Sequence, residues 1–335
     1  MIRVAINGFG RIGRLAARLM LDGNDFDLVA VNTSKKAEQL AYLLKYDTTQ
    51  GSFKVDEISF TDDAIVVGDK QIKVSNEREP EACPWKELNI DLVLECTGKF
   101  IERTEADKHI KAGAKKVLIS APGKGDMKTV VYNVNHDIIT KEDHVVSGAS
   151  CTTNCLAPLA KVINDEFGIE QGIMTTIHAV TGNQNILDNS HKKGINSRRG
   201  RAAGGNIVPT STGAAKAVGL VLPELNGKLN GMAMRVPTLT GSVVDLVVNL
   251  KKKVTVAEIN AAVKAKANAS FGYTEDPIVS SDVIGSTKGG IFDALATSMV
   301  EVDGNQLVKL IAWYDNEMSY TAQLMRTAKL MGELI

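Results

Sequence analysis

The stretch best suited to covalent chemistry is Ser147-Gly148-Ala149-Ser150-Cys151-Thr152-Thr153-Asn154-Cys155. It follows a short apolar strand pattern at residues 145–146 and runs into a helical pattern over residues 156–167. Cys151 therefore falls at or near a helix N-terminus, where unpaired N–H groups and the positive dipole end favour a thiolate. A thiolate so placed is a good covalent nucleophile. Two plainer readings compete. Cys151 and Cys155 could be half of a metal site, but no second cysteine pair or histidine cluster completes one. A cysteine can also be simply a small core residue. That fate suits Cys83, Cys96 and Cys155, whereas the flanking hydroxyls and the helix start argue against it for Cys151. A base must sit beside the sulfur. His178 closes a strand pattern over residues 172–180, at a strand–loop junction. A lone strand-end histidine is more often structural, and spacing alone does not select it over His136 or His191.

A second motif, Gly8-x-Gly10-x-x-Gly13, lies between a strand pattern at residues 3–7 and a helical one with Leu15, Leu19 and Met20 on one stripe. In that setting the first glycine allows a tight turn, the second lets backbone approach a pyrophosphate, and the third permits close helix–strand packing. The helix N-terminus then offers N–H groups to the phosphates. A plain glycine turn is the bland alternative. An Asp or Glu is expected about 20 residues on, to hold the ribose 2′-hydroxyl of NAD. Thr33 stands there instead, followed by Ser34, Lys35 and Lys36. Hydroxyls and ammonium groups would tolerate a 2′-phosphate that a carboxylate would repel, so the sequence leans toward NADP or toward both cofactors. Lys35 and Lys36 as a merely solvated helix start is the competing reading.

These groups need a scaffold. Strand patterns at residues 28–32, 92–98 and 117–120 alternate with helical ones, including residues 37–45. Gly68-Asp69 marks a hairpin between residues 65–67 and 72–74. This alternation predicts an α/β fold with a Rossmann-type, doubly wound parallel sheet. The texture changes after about Ser150. Strand patterns at 172–180, 242–250, 289–298 and 307–314, with a helix at 256–269, predict an α+β catalytic domain with a mixed or antiparallel sheet. A Gly-, Asn- and Arg-rich stretch over residues 181–206 reads as a long loop. Such a loop is functional or disordered, and its basic residues from Lys192 to Arg201 have a bland reading as solvated surface. A last helix covers residues 320–334, with Ala322, Met325, Leu330 and Met331 as its apolar side.

The chain has 335 residues, more than one core usually serves, so two domains are expected. Lys plus Arg equals Asp plus Glu at 39 each. Zero net charge supplies no reason to expect nucleic acid or a membrane surface as the main partner. No stretch approaches the roughly 18 apolar residues of a membrane span. The first residues lack a secretory layout. Four scattered cysteines are too few for a disulfide framework, which makes a reducing cytoplasm the expected compartment.

Taken together the motifs resemble the glyceraldehyde-3-phosphate dehydrogenase family, of bacterial type. The resemblance rests on Asn7-Gly8-Phe9-Gly10-Arg11-Ile12-Gly13-Arg14, Ser150-Cys151-Thr152-Thr153-Asn154-Cys155, Thr176-x-His178-x-x-Thr181, Ser211-Thr212-Gly213-Ala214-Ala215-Lys216, Arg235-Val236-Pro237-Thr238 and Trp313-Tyr314-Asp315-Asn316-Glu317. It runs essentially end to end and keeps the family order. It implies that Cys151 attacks the aldehyde, that His178 lowers the thiol pKa and accepts the hydroxyl proton, and that inorganic phosphate releases the resulting thioester as an acyl phosphate. It implies two anion sites. Thr181 and Arg235 match the pocket for the substrate's own phosphate. Ser150, Thr152, Arg199, Thr212 and Gly213 match the pocket for attacking phosphate, with Arg198 or Arg201 as substitutes for Arg199.

On the cofactor side the resemblance implies Asn7, Gly8, Gly10, Arg11 and Ile12 at the pyrophosphate turn, and Arg78, Thr97 and Ser120 near adenosine and ribose. It also implies Asn316 at the nicotinamide amide. Thr33 with Ser34, and Ser190, depart from the Asp and Pro of strictly NAD-using members and resemble NADP-accepting ones. The implied domains are residues 1–150 completed by 317–335, and residues 151–316, in a homotetramer that uses no metal. Erythrose-4-phosphate dehydrogenase, or a redox-sensing protein on the same fold, is the alternative. The second anion site argues for the phosphorylating reaction.

Overall fold

The computed structural model describes residues 1–191 and 193–335, so Lys192 of the basic run lies outside the described residues. The chain divides into two compact units, Met1–Ser150 with Thr321–Ile335, and Cys151–Tyr320. Residues 317–320, grouped by sequence with the first domain, thus fall in the second unit.

In the first unit the elements run β1 (Ile2–Asn7), α1 (Arg11–Asp22), β2 (Phe26–Asn32), α2 (Ala37–Lys45), β3 (Ile58–Phe60), β4 (Ala64–Val67), β5 (Lys70–Ser75), β6 (Leu92–Glu95), α3 (Arg103–Lys111), β7 (Lys116–Ile119), β8 (Lys128–Thr129) and β9 (Val145–Ser147). Among the described residues they form one sheet in the order β3-β4-β5-β2-β1-β6-β7-β9-β8. From β5 to β8 every pairing is parallel, and antiparallel β3–β4 and β4–β5 hairpins finish one edge. Val4, Ile6, Leu28, Val31, Leu92, Leu94, Val117 and Ile119 are buried. Such near-continuous apolar runs are what a sheet covered on both faces requires.

Parallel register aligns the strand ends. Asn7 pairs with Asn32 and with Glu95, Glu95 with Ile119, and Ile119 with Ser147. Gly8, Thr33, Thr97 and Ser120 therefore emerge together beyond the carboxyl edge, where open α/β sheets bind ligands. The α1 stripe departs from expectation. Leu15 and Met20 are buried but Leu19 is only half-buried. Arg18 is buried instead, because its guanidinium donates to the carbonyls of Leu44 at 2.8 Å and Gly51 at 3.0 Å.

The second unit begins with α4 (Cys151–Phe167), β10 (Ile169–His178), β11 (Val208–Ser211), α5 (Ala214–Val221), β12 (Leu229–Arg235) and β13 (Ser242–Leu250). It continues with α6 (Val256–Lys266), β14 (Phe271–Thr274), β15 (Gly290–Asp293), β16 (Ser298–Val302) and β17 (Asn305–Tyr314). The closing helix α7 (Met318–Glu333) starts here and continues into the first unit. The sheet order is β11-β12-β10-β13-β17-β15-β14, with β16 pairing β17. It is mixed: β10–β12 and β14–β15 are parallel, while β10–β13 and β13–β17 are antiparallel.

Along β13, Ser242, Val244, Leu246 and Val248 are buried while their alternates are not. That alternation is the signature of a sheet with one covered face. The single strand expected over residues 289–298 is two strands. The Asp293 carboxylate accepts from the amides of Leu295 at 3.1 Å and Ala296 at 3.2 Å, and turns the chain between them. Helix α6 starts at a capping box between Thr255 and Glu258. It ends at Lys266, earlier than the residue 269 expected. Residues 181–206 hold only the short 3₁₀ turns Arg198–Gly200 and Ala203–Gly205 among the described residues.

Candidate active site

Cys151 is presented by a tight turn. Ala149 adopts φ +58°, a left-handed conformation unusual for a residue with a Cβ, two residues before Cys151 opens α4. Cys151 Sγ lies 3.4 Å from His178 Nε2. Of the three histidines the sequence left open, the fold thus brings His178 to the sulfur. Strand pairing brings the third member. The last residue of β10, His178, pairs with the last residue of β12, Arg235. Arg235 Nη1 lies 2.7 Å from His178 Nδ1 and donates to Ala179 O at 3.1 Å. Its Nε is buried without a hydrogen-bond partner among the described residues. A buried guanidinium with an unused donor is built to receive an acceptor such as a phosphate oxygen.

Burial governs the electrostatics. It pushes the Cys151 thiol above its ordinary value, against the Arg235 charge, the Thr152 hydroxyl and the amides of Thr152 and Cys151, which all act to lower it. The helix-start donors therefore work in the direction read from sequence, but desolvation outweighs them, and the expected depression of the thiol is reversed. His178 is pushed down to about 3, first by burial and then by Arg235, with Arg199 adding to the effect. Both shifts favour a neutral thiol beside a neutral imidazole. Of the other cysteines, Cys83 and Cys155 are buried core residues as expected, whereas Cys96 is only half-buried. Burial drives Cys83 and Cys96 up to about 12, and Cys155 rises well above its ordinary value.

The residues expected around anions divide into two groups. Thr152 is buried at this centre, where Tyr314 Oη lies 2.9 Å from its hydroxyl and 2.8 Å from that of Thr176. Burial holds the Tyr314 phenol far above its ordinary value. Arg199 is half-buried, its own pKa lowered by burial, and its charge is felt by both His178 and Arg235. Arg198 is exposed, and Arg201 pairs with Asp188 at 3.1 Å. Among the three arginines only Arg199 thus bears on the centre. The remaining residues make local bonds. Thr181 donates its hydroxyl to Asn183 at 2.9 Å, and Thr212 accepts from Ala214 N at 3.2 Å. Gly213 caps α5 with no side-chain hydrogen bond; the first amide of the helix, Ala214 N, is taken by Thr212, and those of Ala215 and Lys216 have no partner among the described residues. Ser150 is half-buried beside Cys151, and Ser190 is exposed, its backbone N–H donating to Asn189 Oδ1 at 2.7 Å.

The dinucleotide motif meets a physical test of fit. Gly8 has φ +94°, and a Cβ there would lie 2.7 Å from Thr97 N. A Cβ on Gly13 would lie 2.3 Å from Gly8 O, whereas one on Gly10 would meet nothing within 4 Å. Two glycines are thus demanded by packing, and the middle one by nothing within the protein, which is the pattern of backbone left open for a ligand. Gly10 caps α1 without a side-chain bond, and Ile12 is half-buried in its first turn. The Arg11 guanidinium pairs with Asp47, also donating to Thr49 at 2.5 Å. Burial alone would raise the Asp47 carboxyl, but bonds from Arg11, Gln50 and Thr49 hold it well below the usual carboxylate range. Arg78 is exposed, Ser120 and Thr33 are half-buried, and Ser34, Lys35 and Lys36 are exposed at the start of α2.

Sequence reading missed the polar network beneath this turn. Glu95 and His109 are fully buried. The carboxylate accepts from Asn7 Nδ2 at 2.5 Å, from the Thr97 amide at 2.7 Å and from the Thr97 hydroxyl. Asn7 Oδ1 accepts from Asn32 at 2.8 Å. Trp85 Nε1, a donor only, lies 2.9 Å from His109 Nδ1, so Nε2 carries the ring proton and donates to Glu95 at 3.1 Å. A glutamate inside an otherwise apolar strand run, residues 92–96, was the available signal. Among the described residues no cluster of His, Cys, Asp and Glu could hold a metal ion, and no helix is long and apolar enough to cross a membrane.

Comparison with known proteins agrees with this geometry. Residues 2–103 match the family model for the glyceraldehyde 3-phosphate dehydrogenase NAD binding domain, and residues 150–316 match that for its C-terminal domain. A glyceraldehyde-3-phosphate dehydrogenase of Clostridium pasteurianum is 58% identical over 334 residues, covering 100% of this chain and 99% of that protein. One from Streptococcus pyogenes serotype M1 is 56% identical over 335 residues, with the same coverage. With a cysteine–histidine–arginine centre in one unit and a glycine turn in the other, the chain belongs to the glyceraldehyde-3-phosphate dehydrogenase family.

Proposed function

We propose that the protein oxidises D-glyceraldehyde 3-phosphate to 1,3-bisphosphoglycerate with NAD(P) and inorganic phosphate, in glycolysis or gluconeogenesis. The observation that carries this reading is Cys151 Sγ at 3.4 Å from His178 Nε2, with Arg235 on the other ring nitrogen. Cys151 Sγ bonds to the aldehyde carbon, and its proton passes through His178 Nε2 to the carbonyl oxygen, giving a hemithioacetal. NAD(P), when bound, supplies the hydride acceptor. His178 Nε2 takes back the hydroxyl proton as the hemithioacetal becomes a thioester. Phosphate then attacks the acyl carbon, the C–S bond breaks, and the thiol is regenerated. Burial of the centre keeps water from the thioester, whose hydrolysis would waste the oxidation.

Arg235, with its unused Nε donor, and Thr181 hold the substrate phosphate in this reading. Arg199, Ser150, Thr152, Thr212 and Gly213 hold the attacking one. The open amides of Ala215 and Lys216, in the first turn of α5, support the phosphorylating over the hydrolytic reaction. Asn7, Gly8, Gly10, Arg11, Ile12, Arg78, Thr97 and Ser120 hold the dinucleotide, and Asn316 orients the nicotinamide.

Use of NADP beside NAD is supported by Thr33 and Ser34 at the end of β2, by two lysines at the start of α2, and by Ser190. Cations at a helix N-terminus oppose the dipole, a placement that an added anion would relieve. A homotetramer in the cytoplasm belongs to this reading, and its self-association is supported by exposed apolar side chains on the second sheet, among them Ile173, Val300, Val302 and Leu307. The test is the initial rate of reduced-nicotinamide formation from glyceraldehyde 3-phosphate, with each cofactor, with and without phosphate. Turnover independent of phosphate overturns the phosphorylating assignment, and turnover with NAD alone overturns the cofactor reading.

A further inference from the structure

We propose that Ser242 is a positioning residue that sets which end of the Asn316 amide is offered to the cofactor, and ties that amide to the strand bearing His178. The inference rests on the role proposed for Asn316. Its basis is topological. Strand β13 lies between β10 and β17. Its first residue, Ser242, pairs with Tyr314 at the end of β17, two residues before Asn316, and its next residue, Val243, pairs with Ile177 of β10. One hydroxyl thus stands between the strand end that carries His178 and the one that leads to Asn316. Gly241 permits this, since its φ is +88° and a Cβ there would lie 2.1 Å from Ser280 O.

Proton accounting then orients the amide. Ser242 and Asn316 are both buried. Ser242 Oγ accepts from Ala179 N at 3.0 Å, the residue after His178, and donates to Asn316 Oδ1 at 2.8 Å. Thr240 Oγ1 lies 2.8 Å from Asp315 Oδ1 and 3.3 Å from Asn316 Oδ1. It has one proton, and the closer carboxylate takes it. Ser242 is therefore the principal donor to Asn316. With the amide reversed, Ser242 Oγ would face two donors and its own buried O–H would have no acceptor, a costly arrangement. Asn316 Nδ2, with no hydrogen-bond partner among the described residues, is left as the end available to a ligand. A donor-only end reads a carbonyl oxygen, so it recognises the nicotinamide carboxamide through its oxygen and not through its NH₂.

The test compares NAD⁺ with ADP-ribose, which lacks nicotinamide, by equilibrium binding to the full chain. In Ser242→Ala the dissociation constant for NAD⁺ should rise about 5- to 20-fold, the value of one oriented hydrogen bond, while that for ADP-ribose stays within about twofold. Asn316→Ala should show the same split. Adding Ser242→Ala to it should weaken NAD⁺ binding no further, because the serine acts through the amide. Should the alanine variant fail to fold, Ser242→Cys, which keeps the volume but bonds weakly, should give the split in smaller measure. Unchanged NAD⁺ affinity in both Ser242 variants overturns the proposal. So does an equal loss for both ligands, which marks general damage, or unchanged NAD⁺ affinity in Asn316→Ala. A parent chain that binds neither ligand overturns the cofactor reading itself.

Discussion

Arg235 Nη1 stands 2.7 Å from His178 Nδ1, on the far side of the imidazole from Cys151. A guanidinium only donates, so this contact makes Nδ1 an acceptor and places the ring proton on Nε2, toward the sulfur. The opposite tautomer has its own partner, since Nδ1 also lies 2.8 Å from Ala179 O. It is the one that leaves Nε2 able to take a proton. A phosphate-bearing substrate that draws Arg235 onto itself favours this second form, which links substrate binding to the readiness of the base.

The same charge acts on both partners, and its removal has a definite sign. Arg235 lowers the pKa of His178 and of Cys151. In Arg235→Gln both should rise, and alkylation of Cys151 by iodoacetamide at neutral pH should slow. Turnover should fall by about 10²- to 10³-fold as the developing oxyanion and the phosphate lose a buried cation. Faster alkylation in the variant would contradict the electrostatic account.

Removing the groups proposed to react should separate their contributions. Cys151→Ser should lose more than about 10³-fold in kcat, because an alkoxide is far harder to form than a thiolate. His178→Asn should lose about 10²- to 10⁴-fold, the usual range for a general acid–base. Single-turnover traces with each variant, with acid-quench detection of acyl-enzyme, are the measurement.

Acid stability should carry the mark of His178. Its pKa is pushed from 6.5 to about 3 by burial and then Arg235. A depressed folded-state value adds stability that is present above the unfolded pKa and lost as pH falls toward the folded one. Urea melts at pH 7.5 and pH 4.5 should show a drop in stability for the parent that is smaller in His178→Asn. Equal drops would place the acid sensitivity elsewhere.

Cofactor choice should respond to one side chain. Thr33→Asp places a carboxylate at the end of β2, where it can bond a ribose hydroxyl and repel a 2′-phosphate. The NADP kcat/KM should fall at least about tenfold relative to that for NAD. An unchanged ratio would remove Thr33 from the discrimination.

The network under the glycine turn should matter to folding before it matters to rate. Trp85→Phe keeps an aromatic ring but removes the donor to buried His109 Nδ1 together with part of a fully buried side chain. Leaving that nitrogen unpaired should cost about 1–3 kcal/mol in urea unfolding. A neutral result would mean that water or a ring flip satisfies His109.

Periodicity and punctuation were enough to read the parallel sheet, the β4–β5 hairpin, α2 and β13, because those elements carry their own apolar pattern and turn residues. Strand β12 was not legible. Leu229-Asn230-Gly231-Met232-Ala233-Met234-Arg235 has little alternation of its own, and only pairing with β10 makes it a strand. That pairing is also what sets Arg235 beside His178.

The sequence by itself determined the chemistry available: a cysteine at a helix start, a glycine turn after a first strand, and hydroxyl-bearing and basic residues suited to anions. It did so because residue type and local spacing dictate reactivity and backbone freedom. Only the tertiary structure decided which histidine meets the sulfur, which arginine bears on the pair, and which way the thiol pKa moves. Those outcomes depend on strand order and on burial, and both arise from contacts between residues far apart in the chain.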